Sequence, residues 1–166
     1  MGMARRRWSS AIAAGALLVC GCATAAQSVS TAPAQPSAGR MIVTVQTASG
    51  PHQFKVEVAR TQAQQSRGLM FRTDIPADGG MLFVPYPAEG PPREASFWMK
   101  NTPSPLDIIF IRKNGTIASI AANVEPFSET PVKSGEVVSA VLEINGGRAA
   151  ELGIRIGDTV RWAPAR

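Results

Sequence analysis

Residues 106–121 read LDIIFIRKNGTIASIA, two apolar runs rich in β-branched side chains on either side of Asn114-Gly115. Asn-Gly accepts the positive φ angles of a tight hairpin turn whose twist matches that of paired strands. Leu106–Ile111 and Thr116–Ala121 are therefore expected to pair antiparallel. A hairpin this well marked points to a β protein.

The chain on both sides is punctuated in the same way. Met41–Val45 alternates apolar and polar residues, and Gln53–Ala59 sets Phe54, Val56 and Val58 against Lys55 and Glu57. With Gly50-Pro51 between them, they predict a first hairpin. Thr61 with Gln64 forms a capping box, so a short helix is expected to follow and to stop at Gly68, a natural left-handed residue. Gly79-Gly80 and the cluster from Pro85 to Pro92 bracket Met81–Val84, read as a buried strand, and the Pro-rich loop itself is expected to be exposed and mobile. Ala95–Lys100 reads as a strand joined to Leu106–Ile111 by Asn101–Pro105, whose prolines exclude a helix. Val137–Ile144 is one more strand, closed by Asn145-Gly146-Gly147. Arg148–Leu152 predicts one or two helical turns capped by Gly153, and Thr159–Trp162 a last strand. Six to eight short strands and two short helices predict a mainly β, single-domain antiparallel sandwich or barrel.

The N-terminal part has a different character. Arg5, Arg6 and Arg7 precede the uncharged run Ala11–Val19, the order of a secretory signal peptide, and that run is well short of the roughly 20 residues that span a bilayer. Leu18-Val19-Cys20-Gly21-Cys22 resembles a bacterial lipobox, which makes Cys22 the lipidated residue. Cleavage after Ala23-Thr24-Ala25 is the alternative, and either route removes Cys20. A zinc or redox pair is disfavoured because C-x-C has no distant Cys or His partners. The expected organisation is a signal peptide with lipobox over residues 1–21, a flexible tether over residues 22–40 and a β domain over residues 41–166. The tether, uncharged from Ala23 to Gly39, holds too little apolar surface to offset its ordering entropy. The protein is expected to be exported and anchored by lipid to a membrane at Cys22, facing the periplasm, and Ala23 after that cysteine points to the outer membrane.

The formal net charge of +5 rests on 17 Lys and Arg against 12 Asp and Glu. Setting aside Arg5–Arg7 leaves 14 against 12, or +2. No basic run interleaved with aromatics remains, so no nucleic-acid partner is expected.

Taken in order, Arg67-Gly68-Leu69-Met70-Phe71-Arg72, Gly80-Met81-Leu82-Phe83, Phe97-Trp98-Met99-Lys100-Asn101-Thr102, Pro105-Leu106-Asp107-Ile108-Ile109-Phe110-Ile111, Val141-Leu142-Glu143 and Gly157-Asp158 resemble the blocks of domain-of-unknown-function family 192. The resemblance covers nearly the whole domain. It implies a mainly β, sandwich-like single domain, often secreted or lipid-anchored in Gram-negative bacteria, and no catalytic residue. The chain departs from the pattern at Pro103-Ser104, where the family carries an apolar residue between Thr and Pro.

Residue inventory narrows the chemistry. No thiol survives processing, and the single histidine, His52, lies in a predicted turn without an acidic neighbour, which leaves Ser-His and Cys-His catalysis little to build from. No metal or cofactor is expected: H-x-x-x-H and EF-hand spacings are missing, and Met70, Met81 and Met99 read as core. Asp107 and Glu143 sit in apolar strands and each needs a partner or a wet cleft. Either Arg67 or Arg72 pairs with them, or they line a site. Trp98 beside Lys100, Asn101 and Asp107 has the composition of a surface that stacks a cyclic ligand and reads its polar groups, although the same residues also serve a sheet face and a turn. The expected ligand-binding set is Arg67, Arg72, Trp98, Lys100, Asn101, Asp107 and Glu143, in a module that binds a small polar ligand or an envelope component without enzymatic activity. The alternatives are an envelope scaffold that binds protein through the Pro85–Pro92 loop, and a hydrolase that uses Asp107 and Glu143 as paired carboxylates in one cleft.

Overall fold

The computed structural model describes residues 39–164. The expected signal peptide, Cys22 and the tether up to residue 38 lie outside the described residues. Nine strands and two helices follow in the order β1 (Met41–Thr47), β2 (Gly50–Ala59), α1 (Gln62–Arg67), β3 (Met81–Phe83), β4 (Arg93–Phe97), β5 (Leu106–Ile111), β6 (Ile117–Val124), β7 (Val132–Val138), β8 (Ala140–Asn145), α2 (Arg148–Glu151) and β9 (Thr159–Pro164). Seven strands form one sheet in the order β6-β5-β8-β3-β2-β1-β9, and β4 and β7 form a second, two-stranded sheet. The domain is mainly β, as the turn signals predict.

The large sheet curls until its two edges meet. Thr116 and Thr159 form a bridge, Val160 N–H donates to Gly115 O at 2.8 Å and Ile117 N–H to Asp158 O at 2.9 Å. All seven strands send side chains into the resulting interior, among them Val43, Val45, Phe54, Leu82, Ile109, Ile117, Leu142 and Val160, and Ala149 and Ile154 close one end. The outer face of the same sheet carries a second core. Met81, Phe83, Leu106, Ile108, Phe110 and Val141 pack there beneath Ala95 and Val138 of the small sheet, with Leu69 and Met99 from the loops. Each strand shared by the two cores is buried on both faces, which is why β5 is apolar at nearly every position instead of alternating.

Local chemistry accounts for most elements. The Asn-Gly hairpin joins β5 and β6, and β1 pairs with β2 across the turn Ala48-Ser49, with Gly50 already in β2 opposite Thr47. At α1 the capping box is complete: Gln64 N–H donates to Thr61 Oγ1 at 3.3 Å and Thr61 N–H to Gln64 Oε1 at 3.1 Å. Gly68 ends the helix at φ 49°. β4 differs from expectation, starting at Arg93 and stopping at Phe97, because the chain turns over Met99–Thr102, with Thr102 N–H on Met99 O at 3.0 Å and Asn101 at φ 55°. The single strand expected over Val137–Ile144 is two strands, broken at Ser139 where the chain leaves the small sheet for the large one. The Pro-rich loop is anchored over its first half. Gln65 Nε2 donates to Pro85 O at 2.6 Å, Ala88 N–H to Gln65 Oε1 at 2.9 Å, and Pro87 is buried.

Candidate functional site

A cleft of about 260 Å³ opens where α1, the start of the Pro-rich loop and β4 meet the outer face of the large sheet. Glu143 forms part of its floor. β8 lies between β5 and β3, with Glu143 opposite Ile108 on one side and Met81 on the other, so its side chain rises from the outer face. The residue is 4 % exposed and its Oε2 has no hydrogen-bond partner among the described residues. Burial alone pushes its carboxyl up to about 8, because the charged form would be left without solvent or partner. At neutral pH Glu143 is therefore a neutral acid with a proton to donate.

Two glycines bring the chain this close. A Cβ at Gly80 would strike the carbonyl oxygen of Glu143, so only glycine lets the chain entering β3 run beside β8. A Cβ at Gly68 would lie 3.3 Å from the Phe83 ring and 3.8 Å from Glu143 Oε2, so glycine here both ends α1 and leaves the floor open.

The walls are aromatic. Phe97 packs edge-on against Phe83 with centroids 5.1 Å apart, and Tyr86 lies 5.5 Å from Phe97 on its other flank. Trp98 is 47 % exposed at the mouth, and the Lys100 ammonium stands 5.1 Å over its ring. Ser66, Ser96 and the buried Thr102 add hydroxyl groups, and Arg67 and Arg93 contribute exposed guanidinium groups to the lining. Neither arginine makes an ion pair among the described residues.

Of the expected set, Arg67, Trp98 and Glu143 come together in this cleft. The other four do not line it. Arg72 donates to Glu57 at 3.0 Å and Asp74 at 2.9 Å in a neighbouring hollow, and its bonding holds the Asp74 carboxyl below the usual range. Lys100 faces Trp98 and Glu129, the latter at 3.7 Å. Asn101 serves the turn, its carbonyl accepting Phe71 N–H at 2.7 Å. Asp107 is fully buried, and its side-chain oxygens accept N–H from Asn123 at 2.6 Å, Gly147 at 2.9 Å and Ala149 at 2.6 Å. It pairs with Ile144 across β5 and β8 while Glu143 pairs with Ile108, so the two acids point to opposite faces of the sheet. The paired-carboxylate hydrolase falls on that register, and neither Arg67 nor Arg72 pairs with either acid. Arg93 and Tyr86 were not legible as site residues, since Tyr86 lies within and Arg93 directly follows a Pro and Gly cluster whose composition signals only a loop.

Comparison with known proteins places this geometry in a family. The model of family DUF192, described as "Uncharacterized ACR", matches residues 43–162. A crystal structure of a protein of unknown function from Novosphingobium aromaticivorans DSM 12444 is 50% identical, covers 73% of this chain and 84% of its own, and superposes with a TM-score of 0.69. A crystal structure from Sinorhizobium meliloti 1021, provisionally described as a transcription regulator, is 40% identical, covers 78% of this chain and 98% of its own, with a TM-score of 0.72. That crystallised chain is matched almost end to end, so it holds little beyond the matched domain. No curated protein matches.

Proposed function

Because the chain belongs to domain-of-unknown-function family 192, whose name assigns no activity, we propose its function from the cleft: a binding module for a small polar ligand, carried on the cell envelope by a lipid at Cys22, facing the periplasm from the outer membrane. The observation that carries the binding reading is Glu143. A buried carboxyl without a partner costs stability, and such a group persists where a ligand completes its bonding. The volume, about 260 Å³, lies below the range of roughly 300–1,000 Å³ for drug-sized ligands, so the occupant is the size of one sugar or one amino acid, or the end of a longer chain. Binding is favoured over catalysis because the floor offers one acid and the second, Asp107, is spent on backbone N–H groups.

The description of the Sinorhizobium relative is not carried over. Among the described residues the helices have six and four residues, too short to enter a DNA groove as a recognition helix, and no basic stripe accompanies them. A second reading, protein recognition, has one observation in its favour. Phe71 and Phe127 are 66 % and 60 % exposed at positive φ, and their amides are tied to the carbonyls of Asn101 and Thr102, beside Trp98. This edge, and not the anchored start of the Pro-rich loop, is then where crosslinking would capture a protein partner.

The test is a thermal-shift screen of the domain against envelope sugars, peptidoglycan fragments, amino acids and nucleotides. A midpoint that rises with concentration of one class, and no longer does so in Trp98→Ala, is the expected linkage signature. A panel without any shift, with crosslinks at Phe71 and Phe127, would transfer the reading to protein recognition.

A further inference from the structure

The cleft is not evenly polar, and the unevenness constrains what enters it. Its inner part is built from Leu69, Phe83 and Phe97 with Glu143 as the buried acid among them, whereas Arg67 and Arg93 are exposed. We infer that the ligand is a small amphipathic anion, its neutral acceptor group hydrogen-bonded to the Glu143 carboxyl on the floor, its apolar body along the aromatic wall and its anionic group outermost, at Arg67 and Arg93. The inference rests on the binding reading and adds an orientation and a charge class to it.

Three considerations carry it. An anion seated on the floor would meet desolvation among apolar rings, whereas a carbonyl or amide oxygen there receives the Glu143 O–H at no charge penalty. Desolvation keeps that proton in place at neutral pH, and the groups facing the cleft with charge or titratable character besides Glu143 are Arg67 at the end of α1, Arg93 on β4 and Tyr86 on the loop. The guanidinium groups, planar forks without an ion-pair partner, suit an organic carboxylate or a phosphate at the exterior. Trp98 at the mouth supplies the stacking face for a flat body between the two ends.

The experiment compares matched probes on the isolated domain, residues 39–166, by amide chemical shifts and binding isotherms. N-acetyl-L-phenylalanine has the amide, ring and carboxylate that the cleft requires, and N-acetyl-L-phenylalaninamide differs only in lacking the charge. The carboxylate is expected to bind about tenfold tighter than the amide and to move the Gly68, Ser96 and Trp98 resonances. The preference is expected to disappear in the double variant Arg67→Gln, Arg93→Gln. Glu143→Leu is expected to lose the carboxylate probe while Glu143→Gln, which keeps a donor, retains it. Equal affinity for the two probes would overturn the anion inference and leave the binding module standing. Cleft resonances unmoved by either probe would overturn it as well, and if the solute panel also gave no thermal shift the binding reading would fall with it.

Discussion

Glu143 and Asp107 are two buried acids on neighbouring strands with opposite bonding. Asp107 accepts three backbone N–H groups and holds the turn before α2 to β6, whereas Glu143 Oε2 accepts none. Asp107→Ala leaves three backbone donors unpaired, the Ala149 N–H buried and those of Asn123 and Gly147 partly buried, and is expected to lower the unfolding free energy by about 3 kcal/mol, read by urea denaturation. Glu143→Gln is expected to act through pH. The folded-state pKa is raised to about 8 from an ordinary 4.5, so the native state keeps a proton that the unfolded chain releases. Stability is then full below the unfolded pKa and falls by about 1.4 kcal/mol per pH unit between those values. The variant has no such proton, so its stability relative to wild type is expected to climb from pH 5 to pH 8. A constant difference over that range would show that burial does not raise the carboxyl's pKa. Sequence identified both acids as needing a partner or a cleft, but it did not separate them, because their facing depends on the β5–β8 register and not on any local signal.

Elements were legible where a local rule and the tertiary fold agree. The hairpin at Asn114-Gly115, the β1–β2 pair and the capped α1 were each expected from a few residues and appear in the structure. β7 was not legible. Lys133-Ser134-Gly135-Glu136 reads as a turn, and only the partner strand β4 makes it extended, with Ala95 N–H on Ser134 Oγ at 2.9 Å. The same gap concealed Arg93, since a strand that begins directly after a Pro cluster is defined by its partner and not by its own composition. α1 also shows how an element builds the cleft. It presents Arg67 at its last turn, ends on Gly68 above Glu143 and anchors the Pro-rich loop through Gln65. Gly68→Ala is expected to destabilise by about 1–3 kcal/mol from the positive-φ backbone, which a side chain disfavours. It is also expected to weaken ligand binding, because the new Cβ presses on the Phe83 ring beside Glu143. Thr61→Ala, which loses only the cap, is expected to cost about 1 kcal/mol in thermal unfolding without affecting affinity.

The described residues combine a nearly closed β barrel with a small sheet packed on its outer face, and the cleft lies where that covering stops. Trp98, on the exposed lip, belongs to neither core among the described residues, so Trp98→Ala is expected to abolish ligand-induced stabilisation while changing the ligand-free midpoint little. Cys22→Ser is expected to move the protein from the membrane to the soluble fraction of the envelope; a protein that fractionates identically would contradict lipid anchoring. The most direct measurement is a carbon-detected NMR titration of the Glu143 side-chain carboxyl in the free domain. The account predicts a midpoint near 8, a neutral donor at physiological pH. A midpoint near the ordinary 4.5 would mean an ionised, partnered carboxylate on the floor, and would contradict the account.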